Sequence, residues 1–246
     1  MALVLNKVTV TDQALQSVAS ILRNHFQVEE QVEGIDQLSG GGVNDPNHRV
    51  AKTAKGRQYG VKTQSRGGGP DGERREEAFS KVCQAMGIDQ ACRAIRVESI
   101  PHMDGFDKTS SVITEWAVES KRVQELTPQE KQQMADLPRV MNQLGKWVAT
   151  NLHSGLGDRA KLDNWVWSHA NQGLTAIDTE SAFNASNVSE HHPLIDSLYG
   201  KTKLKQERGN SEAAKAFEAG LRGVHEQFIA HPEVISPNFA GAHFFA

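Results

Sequence analysis

The sequence is short of several things at once, and each shortage removes a class of protein. It holds only two cysteines in 246 residues, Cys83 and Cys92. Two make neither a disulfide framework nor a zinc site. Both read as small hydrophobes in a reducing compartment. Charge of one sign is not in excess: the net charge is -3. That argues against a broad nucleic-acid surface or an anionic membrane as partner. No apolar run is long enough to span a bilayer. The start, Met1-Ala2-Leu3-Val4-Leu5-Asn6-Lys7, lacks the basic segment, long apolar core and cleavage site of a Sec signal peptide. His153 and the pair His191-His192 have no ligand partners at metal-site spacing and read as surface or structural residues. There is no internal repeat and no long low-complexity tract. What remains is a chain of ordinary composition, long enough for one large domain or two small lobes. A cytoplasmic location is expected; the same features permit delivery into a host cell without a Sec signal.

Leu15, Val18, Ile21, Leu22 and Phe26 recur at helical spacing and predict an amphipathic helix within residues 10–31, with Thr11 or Asp12 as cap. The stretch Gly34 to Gly42 should break it. A short strand at Ile35–Leu38 leads into Ser39-Gly40-Gly41-Gly42. Strands are predicted at Arg49–Thr53 and Gln58–Thr63, joined by the turn Ala54-Lys55-Gly56-Arg57. A second glycine run, Gly67-Gly68-Gly69, leads into a helix from about Glu73 to Met86, which Gly87 stops. Residues 93–100 and 110–117 read as an antiparallel pair, followed by polar helical sequence. Thr127-Pro128-Gln129-Glu130 is a helix start, with Thr as cap and Pro at the first position. A longer helix runs from Pro138 to Leu152, then a hairpin, then a helix over Ser211–Ile229. The chain is therefore expected to be α+β and two-lobed. Residues 1–117 form a β-rich N-lobe with one main helix, plus a helix near its start. Residues 118–246 form a small, mostly helical C-lobe.

The chemistry concentrates in the hairpin region. Gly157-Asp158-Arg159-Ala160-Lys161-Leu162-Asp163-Asn164 precedes a short apolar strand, and a second strand ends at Ala176-Ile177-Asp178. This layout can bring Asp158, Asn164 and Asp178 to one end of a hairpin. Two carboxylates and an amide suit Mg²⁺, which takes oxygen ligands. They also suit a hydroxyl that must be oriented during phosphoryl transfer. Upstream, Tyr59-Gly60-Val61-Lys62 alternates, so Gly60 and Lys62 share a face. A glycine there leaves room for a flat base, and the lysine sets an ammonium beside its phosphates. The backbone amides of Gly40, Gly41 and Gly42 can approach phosphate oxygens, although no Walker or G-x-G-x-x-G pattern is present. Glu73, Glu76 and Glu77 open the next helix and are alternative partners for Lys62; Glu76 shares a face with Phe79, Ser80 and Cys83. Asp104-Gly105-Phe106 has the wrong order and place for a kinase metal motif.

Together these residues resemble the protein-kinase-like superfamily. The likeness is to its atypical branch: phosphatidylinositol 3- and 4-kinases, the actin-fragmin kinase and small bacterial effector kinases. Gly157-Asp158-Arg159 with Asp163-Asn164-Trp165 is similar to the G-D-R-x-x-D-N loop of the phosphatidylinositol kinases. Ala176-Ile177-Asp178 is similar to their metal-binding strand. The resemblance spans about residues 35–185. It implies that Asp158 is the catalytic aspartate, that Asn164 and Asp178 bind Mg²⁺, and that Lys62 holds the phosphates with Glu76 as partner. It also implies that the backbone of Glu115-Trp116-Ala117 receives adenine, through Glu115 and Ala117. Two departures stand out. Asp158 to Asn164 is six residues, one more than the family's spacing, so a residue bulges out or the roles shift toward Asp163. Asp178 is followed by Thr179-Glu180 rather than Phe-Gly. Glu180 is then an extra metal contact or a solvated acid.

The expected activity is an ATP- and Mg²⁺-dependent kinase with an alcohol acceptor. A protein substrate comes first, because nothing in the chain suits a lipid headgroup or membrane anchor. Lipid or antibiotic acceptors, AMP transfer on the same fold, and a pseudokinase binding module are the alternatives. No nucleic-acid partner is expected.

Overall fold

The structure, a computed structural model, describes residues 4–39, 47–63, 72–85, 87, 93–115, 120–154, 165–168, 172–177, 179 and 211–230. The chain divides into two compact units, Met1–Glu77 with Arg93–Val118 and Ala78–Cys92 with Glu119–Ala246.

The first unit is built on one six-stranded antiparallel sheet. Its strands are β1 (Val4–Lys7), β2 (Val32–Ser39), β3 (Arg49–Thr53), β4 (Gln58–Thr63), β5 (Ala94–Val97) and β6 (Ser111–Glu115), in the order β1-β2-β3-β4-β6-β5. Helix α1 (Asp12–Phe26) begins where the Thr11 hydroxyl accepts the Ala14 amide at 3.2 Å. It ends at Gln27, which turns left-handed at φ 57°. Ala14, Val18, Leu22 and Phe26 recur every four residues, so they form one buried stripe. That stripe packs on Ile35, Ala51, Tyr59, Val61, Ile95 and Ile113, the residues that alternation places on one face of the sheet. The opposite face carries Gly60 and Lys62. Register sets Lys62 and Arg96 on either side of Val112, and Gly60 opposite Thr114.

Helix α2 (Gly72–Ala85) contributes residues to both units. In the second unit, β7 (Ser120–Arg122), β8 (Trp165–Ser168) and β9 (Gly173–Ala176) form a three-stranded sheet. The helices are α3 (Pro128–Ala135), α4 (Pro138–Ser154) and α5 (Glu212–Ala230). Thr127 and Glu130 close a capping box over Pro128 at the start of α3. The core turns on Trp147. Its ring meets Phe79 edge-on at 4.9 Å and Trp165 at 4.7 Å, the geometry that aromatic quadrupoles favour. Helices α4 and α5 meet at glycines: a Cβ on Gly145 would lie 2.1 Å from the Phe217 carbonyl oxygen, and one on Gly220 would lie 2.0 Å from that of Asn142. The Asn142 side-chain amide donates to the Ala216 carbonyl at 3.0 Å across the same crossing.

Three local expectations are corrected. The stretch from Gly34 is not what ends α1, which has already stopped at Gln27; Gly34 lies inside β2, where a register shift between Val32 and Gly34 absorbs it as a bulge. Strand β1 was not expected. The polar sequence after residue 117 contains β7, which pairs with β8, rather than starting a helix at once. No helix among the described residues is long and apolar enough to cross a membrane.

Candidate functional site

Lys62 and Glu76 are brought together. Lys62 stands on β4 and Glu76 one turn into α2, and the ammonium lies 3.0 Å from Glu76 Oε2. The two side chains are only 8% and 5% exposed. A charge withdrawn this far from water needs an opposite charge close by. Helical phase narrows the choice of acid to two: Glu73 and Glu76, three residues apart, share a face, and both are buried. Glu77 is only partly buried.

Glu73 has a different set of partners. Its Oε2 accepts from the Ser110 hydroxyl at 2.8 Å and lies 3.8 Å from Arg96 Nε. The Arg96 fork donates to both carboxylate oxygens of Glu98, at 2.6 and 3.0 Å. Sequence reading missed Arg96 and Ser110. They lie 23 and 37 positions beyond Glu73, and no local pattern links them.

Glu115 ends β6 opposite Tyr59, so its side chain belongs to the α1 face of the sheet, away from Lys62. Its amide donates to the Arg93 carbonyl at 3.0 Å. Although Glu115 is exposed as a residue, its carboxyl is partly withdrawn from water, which raises its pKa; Arg93 and then Arg57 pull it back.

Gly40, Gly41, Gly42, Ala117, Asp158, Asn164 and Asp178 lie outside the described residues, as do Asp163 and Glu180. Their neighbours are described. Register pairs Trp165, which follows Asn164, with Ala176, which stands two residues before Asp178. Trp165 is fully buried against Trp147, so this end of the hairpin is anchored to α4. Among the described residues no group of three or more His, Cys, Asp or Glu could hold a metal ion. Asp104-Gly105-Phe106 is a structural turn. Phe106 is fully buried, its amide donates to the Met103 carbonyl at 2.9 Å, and Gly105 supplies a φ of 78°.

No family model and no curated protein sequence matches the chain. Solved structures do. The open conformation of CtTel1 aligns at 13% identity over 88% of this chain and 10% of that one, with a TM-score of 0.55. The complete CtTel1 dimer with C2 symmetry aligns at 12% identity over the same shares, with a TM-score of 0.50. The chain thus spans about a tenth of the length of these matches. The FAT and kinase domain of CtTel1 and the GDP and kanamycin complex of APH(2")-IIia align with TM-scores of 0.40 and 0.39, too low to add weight. The former covers 86% of this chain and 21% of that one at 12% identity; the latter covers 91% and 96% at 11%. At such identities the likeness concerns the fold alone. The chain has a protein-kinase-like, α+β fold.

Proposed function

We propose that the protein is an ATP- and Mg²⁺-dependent phosphotransferase acting on a hydroxyl group of a protein. The observation that carries this is the buried Lys62–Glu76 pair at 3.0 Å on a protein-kinase-like fold. A buried ion pair is seldom a better source of stability than two apolar side chains of the same volume. Holding an ammonium in place beside transferring phosphates does require one.

In this reading residues 1–117 carry nucleotide binding, and residues 118–246 the catalytic loop and metal ligands. Lys62 binds phosphate oxygens and Glu76 fixes the lysine's position. The amides of Gly40, Gly41 and Gly42 cover the phosphates. The backbone of Glu115 and Ala117 receives adenine. Asp158 accepts the hydrogen bond of the acceptor hydroxyl and orients it. Asn164 and Asp178 would hold Mg²⁺, which supplies neutralisation of the charge on the phosphates. Their donor set fits: an amide and a carboxylate are hard oxygen ligands, and the Trp165–Ala176 register flanks both positions in sequence. A cytoplasmic location, the chain's own or a host's, goes with this reading.

The test is incubation with Mg²⁺ and ATP labelled at the γ- or α-phosphate, with and without eukaryotic lysate, beside Asp178→Ala. Label from the γ-phosphate on a protein, lost in the variant, is the expected result. Label from the α-phosphate alone would replace the reading with AMP transfer. Bound nucleotide without protein label would replace it with a small-molecule or lipid acceptor, or a pseudokinase.

A further inference from the structure

We propose that Glu73 is a positioning residue for the Lys62–Glu76 pair, the second of two clasps that set α2 on the sheet. The importance of that pair for phosphoryl transfer rests on the reading above; the clasp itself does not.

One ion pair cannot set a helix. A lysine has four rotatable methylene links, so a carboxylate can follow it while the helix rolls or slides. Two contacts to different strands remove that freedom. Glu73 and Glu76 lie on one face of α2, about 4.5 Å apart along its axis. Their partners, Arg96 on β5 and Lys62 on β4, both lie opposite Val112 of the intervening β6. Two strand spacings separate them, about 9.6 Å. The helix can meet both only by crossing the strands, with a long side chain to cover the difference. Arg96 is that side chain. Its fork donates to Glu98 at 2.6 and 3.0 Å, and its Nε lies 3.8 Å from Glu73, an attraction of charges without a hydrogen bond. The Ser110 hydroxyl, immediately before β6, donates to the same Glu73 oxygen at 2.8 Å. Glu73 is buried at the helix start, where an exposed acid would serve the helix dipole equally well. Burial is therefore explained by the clasp and not by the dipole.

The test reads Lys62 directly. The full chain is treated with an amine-acylating reagent, and labelling of Lys62 is followed by mass spectrometry, with exposed Lys121 as the internal control. In the wild type Lys62 should react slowly. Glu76→Ala should raise its rate about tenfold or more, because it removes the buried carboxylate that lies 3.0 Å from the ammonium. Glu73→Ala should raise it to a comparable degree without touching Lys62, and the double variant should add little to either single change. Glu73→Gln, which keeps an acceptor for Ser110, should rescue part of the protection. Lys62 as protected in Glu73→Ala as in the wild type, while Glu76→Ala exposes it, would overturn the proposal. Should Glu73→Ala fail to fold, unchanged Lys62 protection in both Glu73→Gln and Ser110→Ala would overturn it equally. A wild type that transfers no phosphate, but whose Lys62 is exposed by Glu73→Ala, keeps the clasp and sinks the enzyme reading. If phosphate is transferred, Glu73→Ala should lower kcat with the acceptor KM unchanged.

Discussion

Removing both members of the Lys62–Glu76 pair should harm stability less than removing either one. At 3.0 Å and an effective dielectric of about 20, the attraction is about 5.5 kcal/mol. Against it stands the withdrawal from water of two charges whose side chains are 8% and 5% exposed, at several kcal/mol each. The net contribution of the intact pair is thus near zero. Lys62→Met abolishes the attraction and leaves the Glu76 carboxylate buried, a loss of about 3–5 kcal/mol. For a chain of this size that is a fall in Tm of roughly 10 °C. Lys62→Met/Glu76→Met removes both charges and fills the space, so it should melt within a few degrees of the wild type. Thermal unfolding followed by circular dichroism, with urea titration beside it, measures this. Phosphotransfer should be lost in all three variants. A double variant as unstable as the worse single one would refute the reasoning. So would single variants that melt with the wild type.

Other expectations are as direct. Gly145→Ala would put a Cβ 2.1 Å from the Phe217 oxygen, where ordinary contact begins at 3.4 Å, so α4 and α5 must part by 1.3 Å. The overpacking, about 1–3 kcal/mol, should outweigh the gain of about 1 kcal/mol in helix propensity; a stabilised variant in urea unfolding would contradict the crossing. Glu130 has a pKa lowered from 4.5 to about 2, first by the Lys121 hydrogen bond and then by the Thr127 backbone. Its depressed pKa means that the stabilisation is present above the ordinary carboxylate range and lost as pH falls toward 2. Glu130→Gln should flatten that limb of a stability–pH profile, and an unchanged limb counts against it. Asp158→Ala should abolish transfer while nucleotide binding, read by calorimetry, survives; full activity in that variant would remove Asp158 from its role.

Much of the fold could be read from periodicity, and its failures have physical causes. Helix α1 declares itself because Ala14, Val18, Leu22 and Phe26 form a single buried stripe. The β3–β4 hairpin does so through its glycine turn, where Gly56 takes a φ of 79°. Strand β1 could not be read, because all four of its residues are exposed and no alternation marks them. Strand β7 is three residues long and owes its form to pairing with β8, a partner 44 or more positions away. The Lys62–Glu76 contact was legible in outline: strand alternation sets the face of the lysine, and helical phase sets the face of the acid. Which of three acids meets it was not, because Glu73 is drawn aside by Arg96 and Ser110, and such distant contacts leave no linear trace.

The two faces of the large sheet carry different chemistry, and that difference is the strongest physical reason to look for function on one of them. The α1 face is closed by an apolar cluster that includes Ala14, Phe106 and Ile113. The other face buries Lys62, Glu73 and Glu76 and half-encloses Arg96. A sheet whose core already lies on one side gains little stability from charges placed on the other, because their mutual attraction is offset by their loss of water. What such an arrangement does supply is geometry: fixed charges on two strands and a helix, each held by a neighbour. A site that must receive a polyanion in one orientation has a use for that, and a core does not.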